Sequence, residues 1–176
     1  PPALSDGSNT VYVRELDPAG NPSPSASITF TLDTTAPTVA MNDIALTNDP
    51  TPELTGTVAD TTATVVVTIG STDYPATNNG DGTWTLADDT VAALVEGSTT
   101  VTVTATDPAG NAGTDTGTVF VDSTAPNAPS VVLTNDSGSD GSDLITNDGS
   151  LTVTPDEAGN AIEYSSDDAT WSGTPP

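Results

Sequence analysis

Apolar residues in this chain recur at every second position and almost nowhere at every third or fourth. Residues 100–106 read Thr-Val-Thr-Val-Thr-Ala-Thr. That alternation predicts a strand with Val101, Val103 and Ala105 on one face and threonines on the other. Val11 and Val13 follow the same register and are expected inward, with Tyr12 and Arg14 outward. Residues 27–32 place Ile28, Phe30 and Leu32 on one face. Further strands are expected at 53–58, 63–69, 83–86, 151–154 and 161–165. β-Branched residues dominate these runs, and Gly, Asn, Asp and Pro punctuate them. No stretch carries a helical face.

The chain also repeats itself. Ala3–Val13 reads against Ala93–Val103 at an offset of 90, and Asp17-Pro18-Ala19-Gly20-Asn21 against Asp107-Pro108-Ala109-Gly110-Asn111 at the same offset. Asp33-Thr34-Thr35-Ala36-Pro37 then answers Asp122-Ser123-Thr124-Ala125-Pro126 at 89. A period of this size means a tandem array of small domains. Cutting at Thr-Ala-Pro gives one complete repeat at 36–124, preceded by the C-terminal half of a repeat at 1–35 and followed by the N-terminal half of another at 125–176. The halves complement each other in order. Trp84 lies 23 residues before Asp107, and Trp171 would lie 22 before Asp17 if Pro176 ran directly into Pro1. One reading is a two-domain period of a longer repetitive chain. Its rival is completion of the half-domains between separate molecules, as in strand complementation. The fold expected is all-β: tandem immunoglobulin-like antiparallel β-sandwich domains of about 88 residues and roughly seven strands. Trp84 and Trp171, taken as equivalent repeat positions, are expected to anchor each small core, with Tyr164 contributing.

Charge narrows the partners. There are 25 acidic residues against one Arg, with no Lys and no His, for a net charge of −24. Phosphate backbones need clustered cations, so nucleic acid is excluded, and an anionic membrane surface is disfavoured. No run is long and apolar enough to span a membrane, and no signal peptide is present. Self-repulsion on this scale opposes compaction unless cations neutralise it. Without Cys there are no disulfides or thiolate metal sites, so the staple is a packed core or a hard cation. Without His, Cys or Lys the usual catalytic bases and nucleophiles are missing. Asp88-Asp89 and Asp167-Asp168 are adjacent, and neighbours on a strand point to opposite faces, so paired-carboxylate hydrolysis is not expected.

Ca²⁺ takes 6–8 oxygen ligands, which converging loops of Asp, Asn and carbonyls can supply. Asp33 and Asp122 end the last strand of a repeat, just before Thr-Ala-Pro, where a carboxylate can join ligands from the neighbouring domain. Asp17 and Asp107 open the Asp-Pro-Ala-Gly-Asn turns, and Asn21 and Asn111 close them. Those turns stand as turns without a metal, and both readings remain open. The densest acidic loop is 135–143, followed by Leu144-Ile145-Thr146-Asn147-Asp148-Gly149. It lacks the distal Glu and flanking helices of an EF-hand. It reads instead as another kind of Ca²⁺ loop, with Asp136, Asp143 and Asp148 as ligands and Asp140 facing solvent. The complete repeat keeps Asn48 and Asp49 at the matching point but lacks the long loop, so the two repeat types are expected to bind different numbers of ions.

Asp122-Ser123-Thr124-Ala125-Pro126, Asp-Pro-Ala-Gly-Asn, Asn79-Gly80-Asp81-Gly82-Thr83-Trp84, the 136–149 loop, and Glu163-Tyr164-Ser165 with Ala169-Thr170-Trp171 together touch nearly the whole chain. In order and spacing they resemble the bacterial immunoglobulin-like tandem repeats of giant repeats-in-toxin adhesins and biofilm-associated surface proteins. The resemblance implies export to the bacterial cell surface, a stalk or extender role, and Ca²⁺ stiffening the joints. It implies Asp33 and Asp122 as joint ligands, with Asp17 and Asp107 from adjacent turns. The expected partners are neighbouring repeats of the same chain or identical chains in a filament, with the adhesive ligand elsewhere. The alternative is a surface module that recognises a glycan or a partner surface. Aromatics are only 4% of residues, which leaves Tyr12 and Tyr74 as the contacts for such a site.

Overall fold

The computed structural model describes residues 3–174, and it contains strands but no helix among them. The junction read from Trp171 across Pro176 to Pro1 falls on residues outside those described. The chain divides into two compact units, the first ending at Ser123 and the second starting at Thr124.

In the first unit, β1 (Gly7–Val13) and β2 (Ala26–Leu32) form a two-stranded antiparallel sheet, with Val11 opposite Ile28 and Asn9 opposite Phe30. The next eight strands are β3 (Val39–Met41), β4 (Ile44–Thr47), β5 (Leu54–Val58), β6 (Thr64–Ile69), β7 (Thr72–Asn78), β8 (Thr83–Leu86), β9 (Gly97–Thr106) and β10 (Ala112–Val121). They make one curled sheet in the order β3-β5-β8-β7-β6-β9-β10-β4, the immunoglobulin-like sandwich expected. The pairing is antiparallel except where β10 meets β4 in parallel, a departure from the all-antiparallel expectation.

Alternation decides what is buried. Val101, Val103 and Ala105 on β9 are fully enclosed while the intervening threonines stay half-exposed. They meet Val65 and Val67 of β6, Leu54 of β5, and Val119 and Val121 of β10. Trp84 on β8 fills the centre with no exposed surface, and its indole N–H donates to the Ala40 carbonyl at 2.9 Å. Removing a buried aromatic of this kind costs about 3–5 kcal/mol. Gly56 lies opposite Trp84 in the β5–β8 ladder. A Cβ there would stand 2.0 Å from the Ala40 oxygen and 2.6 Å from the Trp84 indole nitrogen, so only glycine lets the ring lie flat.

β7 contradicts its local sequence. Thr-Asp-Tyr-Pro-Ala-Thr-Asn carries Pro75 and two turn-forming residues, yet pairs with β6 from Val65↔Ala76 to Ile69↔Thr72. β8 pairs with β7 only at Thr77 and Asn78, so Pro75 sits where the strand has a free edge and needs no donor there.

The second unit has one hairpin, β11 (Ser130–Leu133) with β12 (Leu151–Thr154). The strand expected at 161–165 is reduced to a single bridge, Tyr164↔Ser172. Three side chains expected inside are largely exposed: Val13 at 64%, Ile28 at 63% and Trp171 at 53%. Val13 and Ile28 belong to a two-stranded sheet of their own, and the second unit has only the two-stranded β11–β12 sheet. The two tryptophans are also not equivalent. Trp84 is on a strand facing β5, whereas Trp171 follows the Asp167 turn, beside the bridge to Tyr164.

Candidate metal sites at the joint and in the acidic loop

The two Asp-Pro-Ala-Gly-Asn turns are built alike. In each, the Asp N–H donates to the Asn carbonyl at 3.0 Å, and the glycine takes positive φ, +89° at Gly20 and +95° at Gly110. The Asn backbone N–H and side-chain amide both reach the Asp carboxylate at 2.8 Å, in Asp17–Asn21 and in Asp107–Asn111. The Asn side-chain amides are the main reason both carboxyls lie below the usual carboxylate range. The environments differ. Asp107 is buried at 7% exposure, whereas Asp17 is exposed.

Asn111 does one thing that Asn21 does not. Its side-chain amide also donates to the Asp33 carbonyl at 3.1 Å, across the step from the β1–β2 hairpin into the repeat. Beside this contact lies a cleft of about 330 Å³ lined by Asp33, Asp60, Asp107 and the Thr35–Thr38 backbone run. The structure therefore brings together Asp33, Asp107 and Asn111. It adds Asp60, which sequence reasoning missed. Asp60 opens the β5–β6 turn, and its carboxylate accepts the Thr62 N–H at 2.8 Å, an Asx turn with no local mark of a ligand. Gly113 packs this joint closely, since a Cβ on it would lie 1.9 Å from the Pro37 carbonyl oxygen.

A second device at the joint was also missed. Asp6 accepts the Thr34 and Thr35 hydroxyls, each at 2.8 Å, and the Thr34 N–H at 3.2 Å. The two hydroxyls are the chief reason its carboxyl is held below the ordinary value. Glu96, at the matching place one repeat later, accepts the N–H and hydroxyl of Ser123. The carboxylate that opens the second-last strand of each repeat thus ties down the chain as it leaves the last. Asp122 follows β10, and its N–H donates to the Thr47 carbonyl at 2.8 Å.

In the second unit the acidic loop folds around Asp136. One of its oxygens accepts the Leu144 N–H at 3.1 Å, while the other, Oδ1, is buried with no hydrogen-bond partner. A buried carboxylate oxygen left unpaired is costly, and a cation satisfies it. Asp143 accepts the Ile145 N–H and Asp148 the Ser150 N–H, both at 3.0 Å. Thr146 ties the loop by donating to the Asn135 carbonyl at 2.7 Å. Leu144 takes φ +59°, a strained conformation for a leucine. Asp140 is exposed, as expected, and caps its own turn through Ser142. In the complete repeat the matching acidic group is Asp49 with Asp88 and Asp89. Asp49 and Asp89 both accept the Thr51 hydroxyl. Burial first, then the charge of Asp49, pushes the Asp88 carboxyl up. Among the described residues, no three carboxylates converge as a finished metal site.

Residues 38–123 match the family model described as the bacterial Ig-like domain. The chain is similar to a tetra-tandem repeat in the extending region of a large adhesion protein, at 30% identity over 76% of this chain and 36% of that one, with a TM-score of 0.48. It is similar to a Ca²⁺-stabilized adhesin that helps an Antarctic bacterium reach out and bind ice, at 24% identity over 72% and 34%, with a TM-score of 0.36. A 1.5-MDa bacterial ice-binding adhesin matches at 25% identity over 66% and 43%, with a TM-score of 0.32. The chain spans less than half the length of each of these structures. No curated protein matches it in sequence.

Proposed function

We propose that the chain, whose residues 38–123 match the bacterial Ig-like domain, is a length of the extracellular stalk of a bacterial surface adhesin, stiffened by Ca²⁺ at its joints and in its acidic loop. The observation that carries this reading is the joint. The Asp33 carbonyl is held by Asn111 of the following repeat, Pro37 packs on Gly113, and no flexible linker intervenes. Such a joint transmits force and orientation along a row of domains, which is what an extender does. A chain with no His, Cys or Lys is suited to this rather than to catalysis.

Calcium enters through charge. At −24 the chain repels itself, and a divalent cation shared between carboxylates replaces repulsion with coordination. Two places suit it. In the loop, the unpartnered Asp136 oxygen would be a ligand, and Asp143 and Asp148 follow it in the same loop. At the joint, Asp33, Asp60 and Asp107 line one cleft with residues 35–38. Binding only to the ordered state stabilises it by mass action, by about 2.7 kcal/mol when the ion is at 100 times its Kd. The partners are neighbouring repeats of the same chain.

Thermal unfolding in excess chelator and then in millimolar Ca²⁺ tests this. A melting temperature that rises by several degrees with Ca²⁺ and not with Mg²⁺ is expected. Superimposable melts would remove calcium from the account.

A further inference from the structure

The parallel pair β4–β10 sits where the chain enters and leaves the complete repeat. Val119 faces Ile44 and Val121 faces Thr47, and just past the strand ends the Asp122 N–H donates to the Thr47 carbonyl at 2.8 Å. Upstream of Ile44 the connection continues through two carboxylates. Asp43 Oδ1 accepts the Thr118 N–H at 2.7 Å and the Thr118 hydroxyl at 3.3 Å. Asp115 Oδ2 accepts the Met41 N–H at 2.9 Å. Residues 41–47 are thus tied to residues 115–122 in one parallel run.

The carboxylates stand where the chain changes sides. β3 and β4 are the two edges of the curled sheet, and Asn42 and Asp43 carry the backbone from one to the other. Met41 still pairs with Gly56 of β5, and the Asn42 N–H still donates to the Thr55 carbonyl at 3.0 Å. At this crossing the β4–β10 ladder has not yet begun, so the Met41 and Thr118 N–H groups take side-chain acceptors instead. An N–H hidden there without an acceptor would be costly. An ionised acceptor also holds an N–H roughly twice as strongly as a neutral one. Gly117 lets the crossing come close: a Cβ on it would stand 2.9 Å from Met41 Sδ and 3.0 Å from Asp43 Oδ1.

We propose that this run, 41–47 against 115–122, is the element of the repeat that bears tension, and that Asp43 and Asp115 lengthen it. The chain comes in through β3 and β4 and goes out through β10, and β4 and β10 point the same way. Pulling the entry back and the exit forward therefore slides β4 along β10. A parallel pair loaded so has all its bonds strained together, whereas an antiparallel pair pulled apart at one end yields bond by bond. The two carboxylate links add to the ladder pairs at Val119 and Val121, so they are a large share of what has to break at once. The proposal rests on the stalk reading for the source of the tension, while the resistance is a property of the repeat itself and needs no cation.

Stretching single molecules of the whole chain from its two ends, in excess chelator, tests this. The complete repeat should give way in one step that releases about 30 nm of chain, at ~3.5 Å per residue. Asp43→Ala and Asp115→Ala should each raise the unfolding rate at a given load at least about tenfold, the loss of one hydrogen bond to a charged group. Asp43→Asn keeps an acceptor oxygen for Thr118 and should recover most of the resistance. Asp81→Ala is the matched control, since Asp81 accepts the N–H of Thr83 at 3.0 Å and its hydroxyl at 2.6 Å in the turn between β7 and β8. It should lower the melting temperature as Asp43→Ala does, yet unfold at the force of the parent. Forces equal to the parent's in both Asp43→Ala and Asp115→Ala overturn the proposal. So does an equal loss of force in Asp81→Ala, which would make these carboxylates ordinary stabilisers. A chain that resists as expected here but melts alike with and without Ca²⁺ would keep this inference and lose the calcium.

Discussion

Replacing Gly113 by alanine tests whether the joint is rigid by construction. Gly113 lies on β10 opposite Ala105, and a methyl group there would stand 1.9 Å from the Pro37 carbonyl oxygen and 3.1 Å from its carbon. Carbon and oxygen approach comfortably only to about 3.3 Å, so backbone must move against backbone by over about 1 Å. Neither side yields freely. β10 is locked in the ladder with β9, Pro37 has a fixed φ, and the Thr38 carbonyl accepts the Ala59 N–H at 2.9 Å. Overpacking of this kind costs about 1–3 kcal/mol. Loss of the Asn111–Asp33 hydrogen bond adds about 1 kcal/mol. For a domain of this size each kcal/mol lowers the melting temperature by about 4–8 °C, so a fall of at least about 8 °C is expected. The strain should relax at the joint first, because residues 33–38 are held by fewer bonds than β10. Amide exchange should therefore quicken at Ala59 and Thr34 before it changes on β9. A variant that melts within about 2 °C of the parent with unaltered exchange at Ala59 would refute the argument.

Gly56→Ala should cost more, since its Cβ would collide with both Trp84 and Ala40; we expect a chain that does not fold, read as loss of the tryptophan emission of a buried ring. Asp88→Asn should stabilise at neutral pH and make no difference near pH 3, measured by thermal melts. Its raised carboxyl is favourable while protonated, and that advantage is lost as pH rises through the folded value. The lowered carboxyls of Asp6, Asp17, Asp107 and Asp167, the last at about 2, work the other way. Their contribution is full above the ordinary value of 3.8 and should disappear as pH falls toward 2, so a melting temperature flat over that range would contradict these contacts. Asp136→Asn should leave stability in chelator unchanged or slightly higher, because it removes a buried carboxylate oxygen without a partner, and should lower the gain from Ca²⁺ by the loop's share; an equal Ca²⁺ response in both proteins would remove the ion from the loop.

Strands with clean alternation were legible because burial of one face is a local pattern: β5, β6, β8 and β12 lie within the stretches anticipated, and β9 covers its stretch and extends back to Gly97. β7 was not, because its Pro75 is tolerated only by an edge that β8 leaves open. The Trp171 environment was misjudged for a related reason: its distance from Asp17 counts residues, not which strand it follows. The turn pairs Asp17–Asn21 and Asp107–Asn111 were readable from spacing alone. Asp6 and Glu96 were not, because a carboxylate bonding residues 27 to 29 positions away leaves no mark near itself.

What the amino-acid order determined by itself is the repeat, the strand faces, the turns and the acidity. Each depends on neighbours in sequence or on a sum over the chain. What only the tertiary structure decided is which carboxylates meet and which apolar faces are left open. Asp33, Asp60 and Asp107 line one cleft because the sheet's register brings three distant loops to the same end. Val13 faces solvent while Val103 is buried, although their local sequences match, because only β9 has β6 beside it. Burial is a property of the partner strand, and the pattern of a single strand can state only which side would face it.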